Sequence, residues 1–202
     1  MVIGALETGV LDAYLLWECS RKTVEETLSH SPIDRNRMLT SMERCKEQIN
    51  ELSVEVKMDV VKSHSPFRAD RIKTKHWMLE DYPVARLGLV LPYMGDLPIE
   101  EIVKSFVEVA GYVKRQVEIG SSLKSIEYIR SMSRISDILE KIPVMVIEPG
   151  SEQRRPDVLK QVGRSDLPVY PAHGYLEDGN HRALALMLSN PQRKTILSWV
   201  GR

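Results

Sequence analysis

A surplus of one charge is the first thing this sequence lacks. Lys and Arg total 28, Asp and Glu total 28, and the formal net charge is zero. That balance argues against non-specific wrapping of nucleic acid, which needs an excess of cations, but it leaves room for a local basic patch. Long hydrophobic runs are missing as well. The longest strongly apolar stretch, VARLGLVLPYM at 84–94, contains Arg86 and falls far short of the ~20 residues a membrane helix needs. The N-terminal MVIGALETGVLDAYLLWECSRK has no basic region before its apolar residues, and Glu7, Asp12 and Glu18 interrupt them. Neither an export signal nor a membrane span is expected. Cysteine is scarce: Cys19 and Cys45 fall in expected helices without metal-like spacing, and they read as reduced thiols of a cytoplasmic protein. Repeats, low-complexity segments and zinc-type His/Cys spacings are also lacking.

What remains is ordinary for a soluble globular chain. The 202 residues are 43% apolar and 28% charged, enough for one sizeable domain or two small ones. Apolar positions Leu11, Leu15, Val24 and Leu28 mark a helix over 8–29. After Ser31-Pro32, the spacing of Met38, Met42, Cys45, Ile49 and Leu52 marks a second. The period then changes: Val54, Val56, Met58 and Val60 alternate with Glu55, Lys57 and Asp59, the pattern of a half-buried strand. Residues 62–81 hold His64, Arg68, Arg71, Lys73, Lys75, His76 and Trp77 without a steady period. They read as a long connection: a loop, a lid or a nucleic-acid contact. A strand is expected in ARLGLVLPYM.

Asp96 is a candidate cap for one helix running from Pro98 to Gly120, and Ser122 opens another that carries Ile126, Ile129, Ile135, Ile138 and Leu139. From 142 the texture becomes strand-like: IPVMVIEPG, a polar link, then LPVYPAHGYLEDG as two short strands joined around Ala172-His173-Gly174. NHRALALMLSN is a short helix and KTILSWVGR a terminal strand. The fold class expected is α+β, with a mainly helical region over 1–140 that carries one or two strands and a second region over 141–202, the two read as one compact unit.

The polar run Asp178, Gly179, Asn180, His181, Arg182 sits where the last strand-turn-helix begins. With Asn180 as helix cap, the first-turn N–H groups lack internal acceptors and suit a phosphate or carboxylate. Arg182 offers a bidentate clamp, His181 a hydrogen bond or a proton, and Asp178 an orienting carboxylate or a metal ligand. The same residues also fit an ordinary turn with a cap, an Asx-type bond and a surface ion pair.

LEDGNHRALAL, between a strand and a short helix, resembles the signature of the ParB/sulfiredoxin-like superfamily. That resemblance implies a turn and helix start cradling nucleotide or protein-bound phosphate, as in nucleotide-hydrolysing partitioning proteins, sulfiredoxin reductases and free-serine kinases. Gly179, Asn180, His181 and Arg182 are then the ligand-binding residues. Asn180 precedes His181 where sulfiredoxin chemistry needs a cysteine, and the chain ends at Arg202 without the DNA-binding module of partitioning proteins. Neither activity is expected.

Other groups complete the expectation. Glu148 is the candidate general base, so the catalytic set is His181, Glu148 and Asp178. Asp178 and Glu177 are candidate ligands for Mg²⁺ carried by ATP, ADP or CTP. The partner expected is a nucleotide or small phosphorylated molecule, with phosphoryl transfer or nucleotide hydrolysis as the reaction class and a homo-oligomer possible. The alternative is a non-enzymatic regulator of the same fold that contacts DNA or a protein.

Overall fold

In the computed structural model, which describes residues 5–89, 96–148, 159–160, 163–168 and 170–202, the first helical spacings become α1 (Ala5–Leu28) and α2 (Arg35–Asn50). Val10, Leu11, Tyr14, Leu15, Trp17, Val24 and Leu28 of α1 are buried, as are Met38, Cys45 and Ile49 of α2. Asp34 caps α2 by accepting from the Arg37 N–H at 3.0 Å. The short link between the helices lets them lie side by side. Cys19 and Cys45 are bonded to one another, with Cα atoms 5.9 Å apart. The expectation of two separate thiols is therefore corrected: the pairing of α1 with α2 supplies the proximity, and sequence spacing does not express it.

The strand expected over 54–60 is instead a helix, α3 (Val54–His64). Ser53 caps it by accepting from the Val56 N–H, Glu55 lies in its first turn, and Lys62 and His64 lie in its last. Burial falls on Lys57, Met58 and Val61, whereas Val56 is 45% exposed. The apparent alternation fails because Lys57 is an inner position. Its ammonium donates to Asp12 of α1 at 2.7 Å.

The expected connection over 62–81 also takes regular structure. Ser65 caps α4 (Pro66–Thr74) through the Arg68 N–H, with Pro66 in the first turn. Strand β1 (Trp77–Pro83) follows. Arg71 is buried with its guanidinium over Phe67, and the Arg68 guanidinium lies over Tyr14. Two of the cations that could have faced nucleic acid are thus turned onto aromatic rings.

The chain divides into two compact units, 1–78 and 79–202, so the expected helical region 1–140 spans both. The second unit is α+β. A 3₁₀ turn (Val84–Arg86) leads to β2 (Leu87–Leu89), followed by α5 (Ile99–Ile102), α6 (Phe106–Glu118), α7 (Lys124–Ser133), α8 (Ser136–Leu139), β3 (Val144–Ile147), β4 (Gly174–Asp178), α9 (Asn180–Ser189) and β5 (Thr195–Gly201). Among the described residues the strands form one five-stranded sheet in the order β1-β5-β3-β4-β2. β3 runs parallel to β5 and antiparallel to β4, and β2 runs parallel to β4. All four residues of β3 are buried, as befits a strand covered on both faces.

The helix expected from Pro98 to Gly120 is broken. Ser105 and Glu108 form a capping box that restarts it as α6, and Gly120, at φ 70°, follows its end. Asp96 caps a different helix from the one expected: its carboxylate accepts from the backbone N–H groups of Lys124 and Ser125 at the start of α7. Leu123, at the cap position of α7, has no acceptor of its own, so a distant carboxylate does the work. The hairpin expected around 172–174 is absent among the described residues. Pro168 and Tyr170 lie outside strands and Val169 lies outside the described residues. β4 finds its partners far away in sequence, in β2 and β3.

Candidate functional site

Asp178 closes β4 opposite Met145 of β3, and the chain must turn at once into α9. Gly179 makes the turn with φ 88° and ψ 21°, a left-handed conformation that favours glycine. A Cβ at this position would also stand 2.6 Å from Val144 Cγ1. Both the dihedral and the space require glycine.

Because Gly179 occupies the cap position, α9 has no side-chain cap among the described residues. Asn180, expected as the cap, is instead the first helical residue. Its side-chain Oδ1 is buried without a hydrogen-bond partner among the described residues. The Gly179 carbonyl accepts from the Ala183 N–H at 2.8 Å, which starts the helical ladder.

Arg182 is 2% exposed. Its Nη2 donates to Asp178 Oδ2 at 2.7 Å and its Nη1 to the Pro143 carbonyl at 3.3 Å. The guanidinium joins the end of β4, the first turn of α9 and the residue before β3. In the place where the sequence offered a phosphate clamp, the side chain braces the turn from inside.

His181 meets Tyr128 of α7 edge to face, with ring centroids 5.3 Å apart. Burial of the imidazole pushes its pKa below the ordinary histidine value, and the charges of Asp96 and Asp178 pull upward without overcoming it. At neutral pH the ring is therefore uncharged, with one nitrogen to donate and one to accept.

Glu148 lies elsewhere. Ile147 pairs with Tyr175 and Met145 with Asp178, so Glu148 is at the far end of β3, about 10 Å of strand from Met145. The structure does not bring the proposed base to the 178–182 turn. Instead Glu148 accepts from Arg202 Nε at 2.8 Å and from the Tyr82 hydroxyl at 3.3 Å, while Arg202 also pairs with Glu80. Burial alone would raise the Glu148 carboxyl, but Arg202, Tyr82 and Arg86 together hold it below the usual carboxylate value. Tyr82 is pushed up to about 12, by burial first and then by the charge of Glu148. His173 joins this end through Arg86, with 2.9 Å between Nδ1 and Nη2.

Glu177 and Asp178 are successive residues of β4, and Glu177 falls where the β3–β4 register shifts, between the Met145–Asp178 and Val146–Leu176 pairs. Among the described residues no group of three or more His, Cys, Asp or Glu side chains is placed to hold a metal. Likewise, no helix among them is long and apolar enough to cross a membrane.

Comparison with protein families, curated proteins and solved structures finds no match for this chain. Sequence reasoning missed Tyr128 and Asp96 as neighbours of His181, and Tyr82, Arg86 and Arg202 as partners of Glu148. All five reach their partners across the fold. The sequence Gly-Asp-Leu-Pro around Asp96 was a usable signal for a cap, though not for the helix it serves.

Proposed function

We propose that the protein binds a nucleotide or small phosphorylated molecule at the start of α9. The observation that carries this reading is the glycine cap of α9: Gly179 has no side chain to take the first-turn amides, and the helix end favours an anion there. The Asp178–Arg182 pair holds those amides in a fixed turn, so little order has to be gained on binding. Asn180 adds an amide group at the helix start and His181 a neutral donor. The order β4, Asp-Gly-x-His-Arg turn, α9, β5 supports a ParB/sulfiredoxin-like assignment for this part of the chain.

Binding is better supported than catalysis. Of the expected catalytic set, Asp178 is engaged by Arg182 and Glu148 stands at the other end of β3. Phosphoryl transfer or nucleotide hydrolysis remains the reaction class to assay once binding is measured, with Mg²⁺ carried mainly by the nucleotide phosphates. A cytoplasmic setting goes with a nucleotide ligand.

Calorimetric titration with ATP, ADP and CTP in the presence of Mg²⁺ tests the proposal, beside the variant Asn180→Ala. A hydrogen bond to a charged group contributes about 1.5–3 kcal/mol, so losing the Asn180 amide should weaken binding by about tenfold or more. The variant should keep its fold, because it also removes a buried oxygen that has no partner among the described residues. Absence of heat with every nucleotide, or equal affinity in parent and variant, contradicts the proposal.

A further inference from the structure

The first compact unit carries a second chemical feature, independent of the phosphate reading. The two residues of its disulfide are unequally accessible: Cys19 is exposed, whereas Cys45 is only 5% exposed. Beside them lies a cleft of about 210 Å³ to which Cys19 contributes a wall. Leu15, Ile49, Leu52 and Val60 make its apolar side, and His64 and Glu18 add polar groups. Cys19 is therefore the solvent-facing half of the disulfide and stands beside a concavity, whereas Cys45 is buried.

We propose that the Cys19–Cys45 disulfide is a thiol-exchange site and that this cleft seats an incoming low-molecular-weight thiol. The thiolate attacks Sγ of Cys19, forming a new S–S bond as the Cys19–Cys45 bond breaks. The bonding electron pair leaves on Cys45 Sγ, which takes a proton from solvent. A second thiolate attacks the external sulfur of the mixed disulfide, releasing the small disulfide and leaving Cys19 as a thiolate. Two thiols are oxidised and one protein disulfide is reduced, so electrons and protons balance. Exposure sets the direction: Cys19 receives the attack and Cys45 is the leaving group. Cys45, held against Cys19 by the helix pair, competes with the second thiolate by reversing the first step. The mixed disulfide therefore accumulates only where Cys45 is absent.

Reduced glutathione on the full chain is the probe for the disulfide, and oxidised glutathione on Cys45→Ser is the probe for the free thiol. Adducts are read by peptide mass spectrometry under native conditions. The parent should be reduced without prior unfolding, and Cys45→Ser should carry the adduct on Cys19. Leu52→Trp fills the cleft from an already exposed position; it should slow exchange with glutathione by about tenfold or more while leaving exchange with the much smaller 2-mercaptoethanol within about twofold. Circular dichroism of each variant establishes that it is folded. Three results overturn the proposal: a parent disulfide that resists glutathione until urea unfolds the chain, a Cys19 that stays unmodified in folded Cys45→Ser, or an unchanged glutathione rate in folded Leu52→Trp.

Discussion

Replacing Arg182 by Met separates a brace from a ligand. In the parent, the guanidinium is 2% exposed and Asp178, its partner at 2.7 Å, has a side chain only 14% exposed. Removing one member of a buried pair leaves the other charge without compensation, at a cost of about 3–5 kcal/mol. The small remaining exposure of Asp178 puts this case near the lower end. The lost bond to the Pro143 carbonyl acts in the same direction. About 3 kcal/mol should lower the midpoint of thermal unfolding of the second unit on the order of 10 °C. Because the chain has two compact units, a single global transition is not assured, and hydrogen exchange at amides of β4 and α9 is the sharper assay. Those amides should lose protection in Arg182→Met and regain most of it in Arg182→Met/Asp178→Asn, where no carboxylate is stranded. A loss below about 1 kcal/mol in the single variant would refute the brace and return the guanidinium to the list of ligand groups.

Three further outcomes follow from the same geometry. Burial lowers the His181 pKa, so between that value and the ordinary ~6.5 the unfolded chain binds more protons than the folded one. Stability should therefore fall as pH drops through that window, and His181→Phe, which keeps a ring against Tyr128, should flatten the slope measured in urea titrations at several pH values. For α3, Ser53→Ala should cost about 1 kcal/mol through the lost cap, whereas Val56→Lys should change stability by less than about 0.5 kcal/mol. The reverse order in denaturant unfolding would favour the strand reading of 54–60. Finally, the Glu148 carboxyl is held below its usual value by its partners despite burial. Its contribution to stability is present above the ordinary carboxylate value and lost as pH falls through the lowered one. Glu148→Gln should therefore be less stable than the parent at neutral pH, with the gap narrowing in acid.

Where structure is made by neighbours in sequence, the chain was readable. α2, β3, α9 and β5 follow from apolar spacing, and Asp-Gly-Asn-His-Arg announced the strand-to-helix turn at which Gly179 sits. Alternation misled at 54–60 because four apolar residues at even positions coincided with a helix whose inner face includes Lys57, a residue type that pattern-reading assigns to solvent. The Ser53 cap was the better signal. At the site, sequence identified the turn but assigned Arg182 outward, since composition cannot say whether an ion pair closes on Asp178 four residues earlier. The position of Glu148 was illegible for a topological reason: β4 pairs antiparallel with β3, which sends the two candidate carboxylates to opposite ends of the same ladder. Disulfide formation between Cys19 and Cys45 likewise depended on helix pairing.

The central claim is that anions bind at the start of α9, and amide NMR reads that location directly. With the ¹⁵N-labelled chain titrated with ATP and Mg²⁺, the backbone N–H signals of Asn180 and His181 should shift most and saturate together. Shifts confined to other parts of the chain, or none at concentrations well above the millimolar range, would contradict it.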